Sequence, residues 1–174
     1  MAHELYTRTN QKIYFAGLAL EQLAQAAQGT SMNAAALQQA GREAVLFHLY
    51  GALLGLCHEI AGFYHLPDTR APRAEAYLNE QVLAQAANPE LAELVELLQS
   101  RDSWLVRLLA AYSALYEPPR ALREIKRDVT TPLIAAVNLD EPEPEPGLDG
   151  VTLEQWRQHL KQLAVRFRDG LSEC

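Results

Sequence analysis

Few residues of this chain combine a reactive side chain with a distinctive setting, and most of them fall in one stretch, "HLYGALLGLCHEIAG" (48–62). His48, His58 and Glu59 interrupt an otherwise apolar run there, and Arg42 stands six residues before His48. Histidine titrates near neutrality, so it suits general acid–base work or metal ligation, and a glutamate can serve in either role. "HEIAG" begins like the zinc-protease pattern H-E-x-x-H, but Gly62 stands where the second histidine is required. Neighbours such as His58 and Glu59 point about 100° apart on a helix and do not grip one ion from a single face. His58 and His65 would lie about 10 Å apart along the helix axis. No Glu-x-x-His occurs, which is the pattern of carboxylate-bridged di-iron bundles. Neither a metal nor any other cofactor is expected.

The spacing Arg42-x5-His48 resembles the R-x(4–6)-H signature of the HEPN superfamily, whose helical domains include dimeric ribonucleases. That resemblance implies His48 as acid or base on a ribose hydroxyl and Arg42 as a phosphate clamp. It covers two residues, and a six-residue offset puts them about 120° off a common helix face. A second basic group sits in "RALREIKR", where Arg120, Arg123 and Arg127 share one helical face with Lys126 beside them. It reads first as a solvated face that offsets Glu124 and Asp128, and second as a patch for an acidic ligand. Cys57 and Cys174 form no spacing pattern, and Cys57 lies on an apolar face as an inert small hydrophobe.

Helices must position these groups. The chain of 174 residues holds 29 Leu and 27 Ala against 12 Val plus Ile, a helix former's composition rather than a sheet's. Tyr6, Ile13, Leu20 and Ala27 recur every seven residues, predicting a first helix from about His3 to Gln28. Gly29 stops it, and Thr30 or Ser31 is the expected N-cap of a second helix of some 35 residues that meets no breaker before Pro67. Pro72 suits the first turn of a third helix reaching about Ala87. Asn88-Pro89 opens a fourth, dented at "SRDS" (100–103) and ended by Pro118-Pro119. Residues 118–151 are less regular and contain the acidic, proline-rich "DEPEPEPGLDG". Thr152 to Gln155 reads as a capping box for a last helix carrying Leu153, Trp156, Leu160, Leu163 and Phe167. The expected fold is all-α: a single-domain, up-and-down bundle of four to five main helices over residues 1–174, with an irregular acidic loop before the last.

Within the second helix, Gly51, Gly55, His58 and Gly62 fall on one narrow stripe, flanked by His48 and Glu59. Val45, Leu46, Leu49, Leu53, Leu56, Ile60 and Phe63 form a broad apolar face opposite. The stripe reads as a seam where another backbone comes near, or as a groove for a small ligand or metal. A bilayer span is disfavoured, because stretching the 14-residue run Ala44–Cys57 to about 20 residues takes in His58 and Glu59. The net charge of −7 disfavours nucleic acid as a general partner. Without a signal-peptide pattern at its start, the chain is expected in the cytoplasm.

The opening "HELYTRTNQKIYFAGLALEQL", above all Tyr6 to Leu23, resembles a small bacterial family of uncharacterised helical proteins. That resemblance implies a helical protein with no assigned activity and transfers no functional residues. The leading reading is therefore a non-enzymatic helical module that binds a protein partner, foremost a second copy of itself. The HEPN-like reading through Arg42 and His48 stands as the alternative, and ligand or metal binding beside the glycines as the third.

Overall fold

A helix apolar on most sides must sit at the centre of its domain, and residues 34–63 do so. The computed structural model describes residues 2–30, 32–85, 88–117 and 148–172, and every regular element among them is helical. In chain order these are α1 (Ala2–Gln28), α2 (Ala34–Phe63), a short 3-10 turn (Ala74–Ala76), α3 (Glu80–Gln85), α4 (Pro89–Gln99), α5 (Trp104–Ala114) and α6 (Gly150–Ser172). The fold is an all-α bundle built round α2, which touches α1, α4, α5, α6 and the 3-10 turn. At 30 residues α2 is about 45 Å long and apolar enough to cross a bilayer by length and composition. Most of its apolar face is covered by protein: Val45, Leu46, Leu49, Leu53, Leu56 and Ile60 are buried, while Phe63 at its end is exposed.

α1 runs antiparallel to α2, pairing Leu23 with Gly41, Lys12 with Gly51 and Thr9 with Gly55. Its buried stripe is Ile13, Ala16, Ala19 and Leu23. α6 closes the other flank with Leu153, Trp156, Leu160, Leu163, Ala164 and Phe167, as its a/d spacing predicts. Burial of this one shared core is the main stabilising force.

Several boundaries differ from the sequence reading, each for a local reason. α2 starts after Asn33 rather than at Thr30 or Ser31, and it ends at Phe63 before any proline is reached. Its end is a Schellman motif: Leu66 N–H donates to Ala61 O at 2.9 Å and His65 N–H to Gly62 O at 3.4 Å. His65 occupies the left-handed position with φ of 52°, and buried Leu66 anchors the turn. The position favours glycine, so His65→Gly is expected to stabilise by about 0.5–1 kcal/mol and raise the thermal midpoint by about 2 °C. A lower midpoint by circular dichroism would contradict this.

The third helix expected from Pro72 to Ala87 forms only as the 3-10 turn and six-residue α3, because Ala74, Tyr77 and Leu78 are drawn inward onto α2. The "SRDS" dent is a full break. Ser100 is extended, and the Ser103 hydroxyl accepts from Val106 N–H at 3.2 Å, capping α5 as a new helix. α6 begins two residues before Thr152, with Asp149 Oδ1 accepting from Thr152 N–H at 2.8 Å in place of the expected Thr152–Gln155 box. The basic group Arg120, Arg123, Lys126 and Arg127, the "EPEPEP" segment and Cys174 lie outside the described residues.

Candidate functional site

The stripe on α2 meets three different neighbours. Gly51 and Gly55 face α1: a Cβ at Gly55 would lie 2.6 Å from Thr9 Oγ1, and one at Gly51 would lie 3.1 Å from Lys12 Cδ and Cε. α1 occupies the space beside both, so these two glycines do not line an open ligand groove. Gly62 is half-buried in the last turn of α2. His58 leaves α2 on another side, where its Nε2–H donates to Ala71 O at 2.9 Å and its ring stands edge-on to Tyr77 at 5.7 Å. Tyr77 in turn accepts from Ala71 N–H at 2.8 Å, so the two side chains pin the loop after α2.

Glu59 has the most constrained setting. Its side chain is 1% exposed and receives a two-pronged contact from Arg168 of α6, with Nε to Oε2 at 2.8 Å and Nη2 to Oε1 at 2.9 Å. The same guanidinium donates through Nη1 to Asn10 Oδ1 at 2.8 Å and lies 4.9 Å from the Tyr6 ring centroid. One arginine thereby ties α1, α2 and α6 together. Every polar atom of that pair is used internally, so the arrangement holds helices rather than offering a free acid or base. The sequence marks Glu59 as out of place on an apolar helix, but nothing local marks Arg168, 109 residues away.

A second polar cluster lies where α2 meets α5 and the 3-10 turn. Tyr50 accepts from Ala74 N–H at 3.1 Å and donates to Glu75 Oε2 at 2.8 Å. Its ring stacks on Tyr112 at 3.9 Å with 2° between planes. Burial pushes the Tyr50 hydroxyl up to about 12, and burial also raises Tyr112. Cys57, fully buried, has its thiol raised by burial and is inert as a nucleophile. Among the described residues no group of three or more His, Cys, Asp or Glu could hold a metal ion.

Arg42 and His48 share no hydrogen bond and meet different surroundings. Arg42 lines a half-open groove of about 760 Å³ between the α1–α2 hairpin and the start of α6. The groove walls are mostly apolar, from Tyr14, Leu18, Leu20, Leu23 and Val151, with Glu21, Asp149, Glu154 and Arg157 also lining it. The Arg42 Nε is buried without a hydrogen-bond partner, whereas Arg157 is satisfied by Glu154 at 2.7 Å. Hydrogen bonds from the Thr152 hydroxyl and N–H hold the Asp149 carboxyl below its ordinary range.

His48 instead sits edge-on to Phe15 and Phe47, each at 5.5 Å between centroids, with its Nδ1 buried and unpaired. Burial first, then Lys12 and Arg8 of α1, depress its pKa. Burial and Arg8 likewise depress Lys12, whose Nζ lies 4.6 Å over the Phe47 ring. Lys12 and Arg8 escape a motif search, because two cations four residues apart read as an ordinary solvated face.

No curated protein and no solved structure matches the chain. A family model described as a family of unknown function (DUF6586) matches residues 1–174. This helical bundle, with its Arg168-centred tie and an apolar groove beside Arg42, belongs by that match to the DUF6586 family.

Proposed function

We propose that this protein is a non-enzymatic, cytoplasmic helical module that works by contact, and that its first partner is a second copy of itself, received at the groove beside Arg42. The observation that carries this reading is the exposed apolar rim of that groove: Tyr14 and Val151 are 62% and 66% exposed and Leu18 is 38% exposed. Apolar side chains gathered at one concave site favour association with another surface. Arg42, unpaired among the described residues, adds a cation at that site. A chain with 22 acidic against 15 basic residues offers a carboxylate to meet it from a second copy. The same groove gives an acidic, apolar segment of a different protein a place to bind, which is the nearest variant of this reading. The RNA-cleaving alternative draws no comparable support, since Arg42 and His48 do not converge.

Sedimentation velocity over a wide concentration range tests the proposal. Wild type is expected to self-associate, and Leu18→Asp with Val151→Asp to weaken association by about a hundredfold without loss of helix content. Wild type sedimenting as a monomer throughout, or the double variant associating as tightly as wild type, would overturn self-association at this groove.

A further inference from the structure

Away from the groove, the side of α1 that carries Arg8, Lys12 and Phe15 meets His48 and Phe47 of α2. We propose that Arg8, Lys12 and His48 form a binding site for the phosphate group of a small ligand that also carries a planar ring, and that Phe47 supports the ring. Arg8 and Lys12 are one turn apart on α1, so both project from one face. The Lys12 stem lies close against α2 because Gly51 has no side chain there, and this brings Nζ to 4.6 Å from the Phe47 centroid. His48 adds an imidazole between Phe15 and Phe47. Its buried Nδ1 has no hydrogen-bond partner, and in the tautomer with the proton on Nε2 the ring is a donor to an anion.

The electrostatics of this cluster are unbalanced within the protein. Arg8 donates to a neutral acceptor, Gln11 Oε1, at 3.0 Å. Among the described residues no carboxylate pairs with Arg8, Lys12 or His48, although acids outnumber bases in the chain. The cations repel: Arg8 lowers Lys12, and both lower His48, each beneath a larger effect of burial. A phosphate dianion placed among the three turns that repulsion into attraction, accepting from a guanidinium N–H, from Nζ and from Nε2–H. Phe47, 51% exposed, supplies an apolar ring face at the edge of the cluster. This site is independent of self-association and stands or falls separately.

The test follows the His48 ring protons by NMR while the full chain is titrated, at constant ionic strength, with adenosine monophosphate or with inorganic phosphate. Both are expected to give saturable shifts, the nucleotide at lower concentration. Lys12→Met keeps the stem over Gly51 and should weaken nucleotide binding at least about tenfold, as should Arg8→Gln. Phe47→Ala should weaken the nucleotide while leaving inorganic phosphate unchanged. Absence of saturation by either probe up to roughly 10 mM, a ceiling near the weakest specific affinities, overturns the site. So does nucleotide binding of wild-type strength in both charge variants, each shown folded by circular dichroism. Equal affinity for the two probes overturns the role of Phe47.

Discussion

Replacing Arg168 by methionine is expected to lower the free energy of unfolding by about 3 kcal/mol, measured by urea denaturation. Methionine keeps most of the aliphatic length, so the main loss is the charge that meets Glu59. That carboxylate is 1% exposed and would be left without its two donors, while Asn10 would lose a third contact. Removing one partner of a buried pair costs about 3–5 kcal/mol, and the low end applies because Arg168 is itself 19% exposed. The double variant Glu59→Met, Arg168→Met should recover most of that loss, since an apolar pair of similar volume is often no worse than the ion pair. A single-variant cost below about 1 kcal/mol would place the pair with ordinary surface salt bridges.

Gly55→Val should cost about 2 kcal/mol, whereas Gly51→Ala should be neutral or stabilising by up to about 1 kcal/mol. The contrast rests on what each new Cβ would meet. At Gly55 it meets Thr9 Oγ1 at 2.6 Å and Thr9 Cα at 3.4 Å, and Thr9 is 1% exposed, so α1 itself must shift. At Gly51 it meets the far carbons of Lys12, a side chain that can swing aside. Helix propensity, which favours alanine over glycine by about 1 kcal/mol, then decides the sign at Gly51. Thermal unfolding of the two variants side by side checks the pattern. Equal effects at both positions would contradict the close approach of α1 at Gly55.

The long elements were legible because their signal is periodic and internal. Leu153, Trp156, Leu160 and Phe167 mark α6 with the stripe that buries it, whereas on α1 Ile13 is buried with Ala16, Ala19 and Leu23, Tyr6 and Leu20 are half-buried and Ala27 is exposed. Boundaries set by backbone conformation were not legible. His65 takes the left-handed position that ends α2 although it is neither glycine nor asparagine, so the sequence offers no stop before Pro67. Residues 74–85 have helical composition, but buried Tyr77, the hydrogen bond from Ala74 N–H to Tyr50 and the one from His58 to Ala71 O hold the loop against α2. Charge settings behaved the same way. Glu59 stands out as a carboxylate on an apolar helix, yet Arg168 reaches it, and Asn10 and Tyr6 reach Arg168, from helices whose register no local pattern specifies. Arg8 and Lys12 carry no motif, and only the antiparallel pairing of α1 and α2 brings them to His48.

The tie at Arg168 also joins distant parts of the chain. Glu59 stands 109 residues ahead of the arginine that neutralises it. Without α6, the α1–α2 hairpin would carry a carboxylate with neither of its two donors, at a cost in burial. Docking of α6 supplies the two donors that let this carboxylate be buried, so the closed seam is a property of three helices together rather than of the hairpin alone.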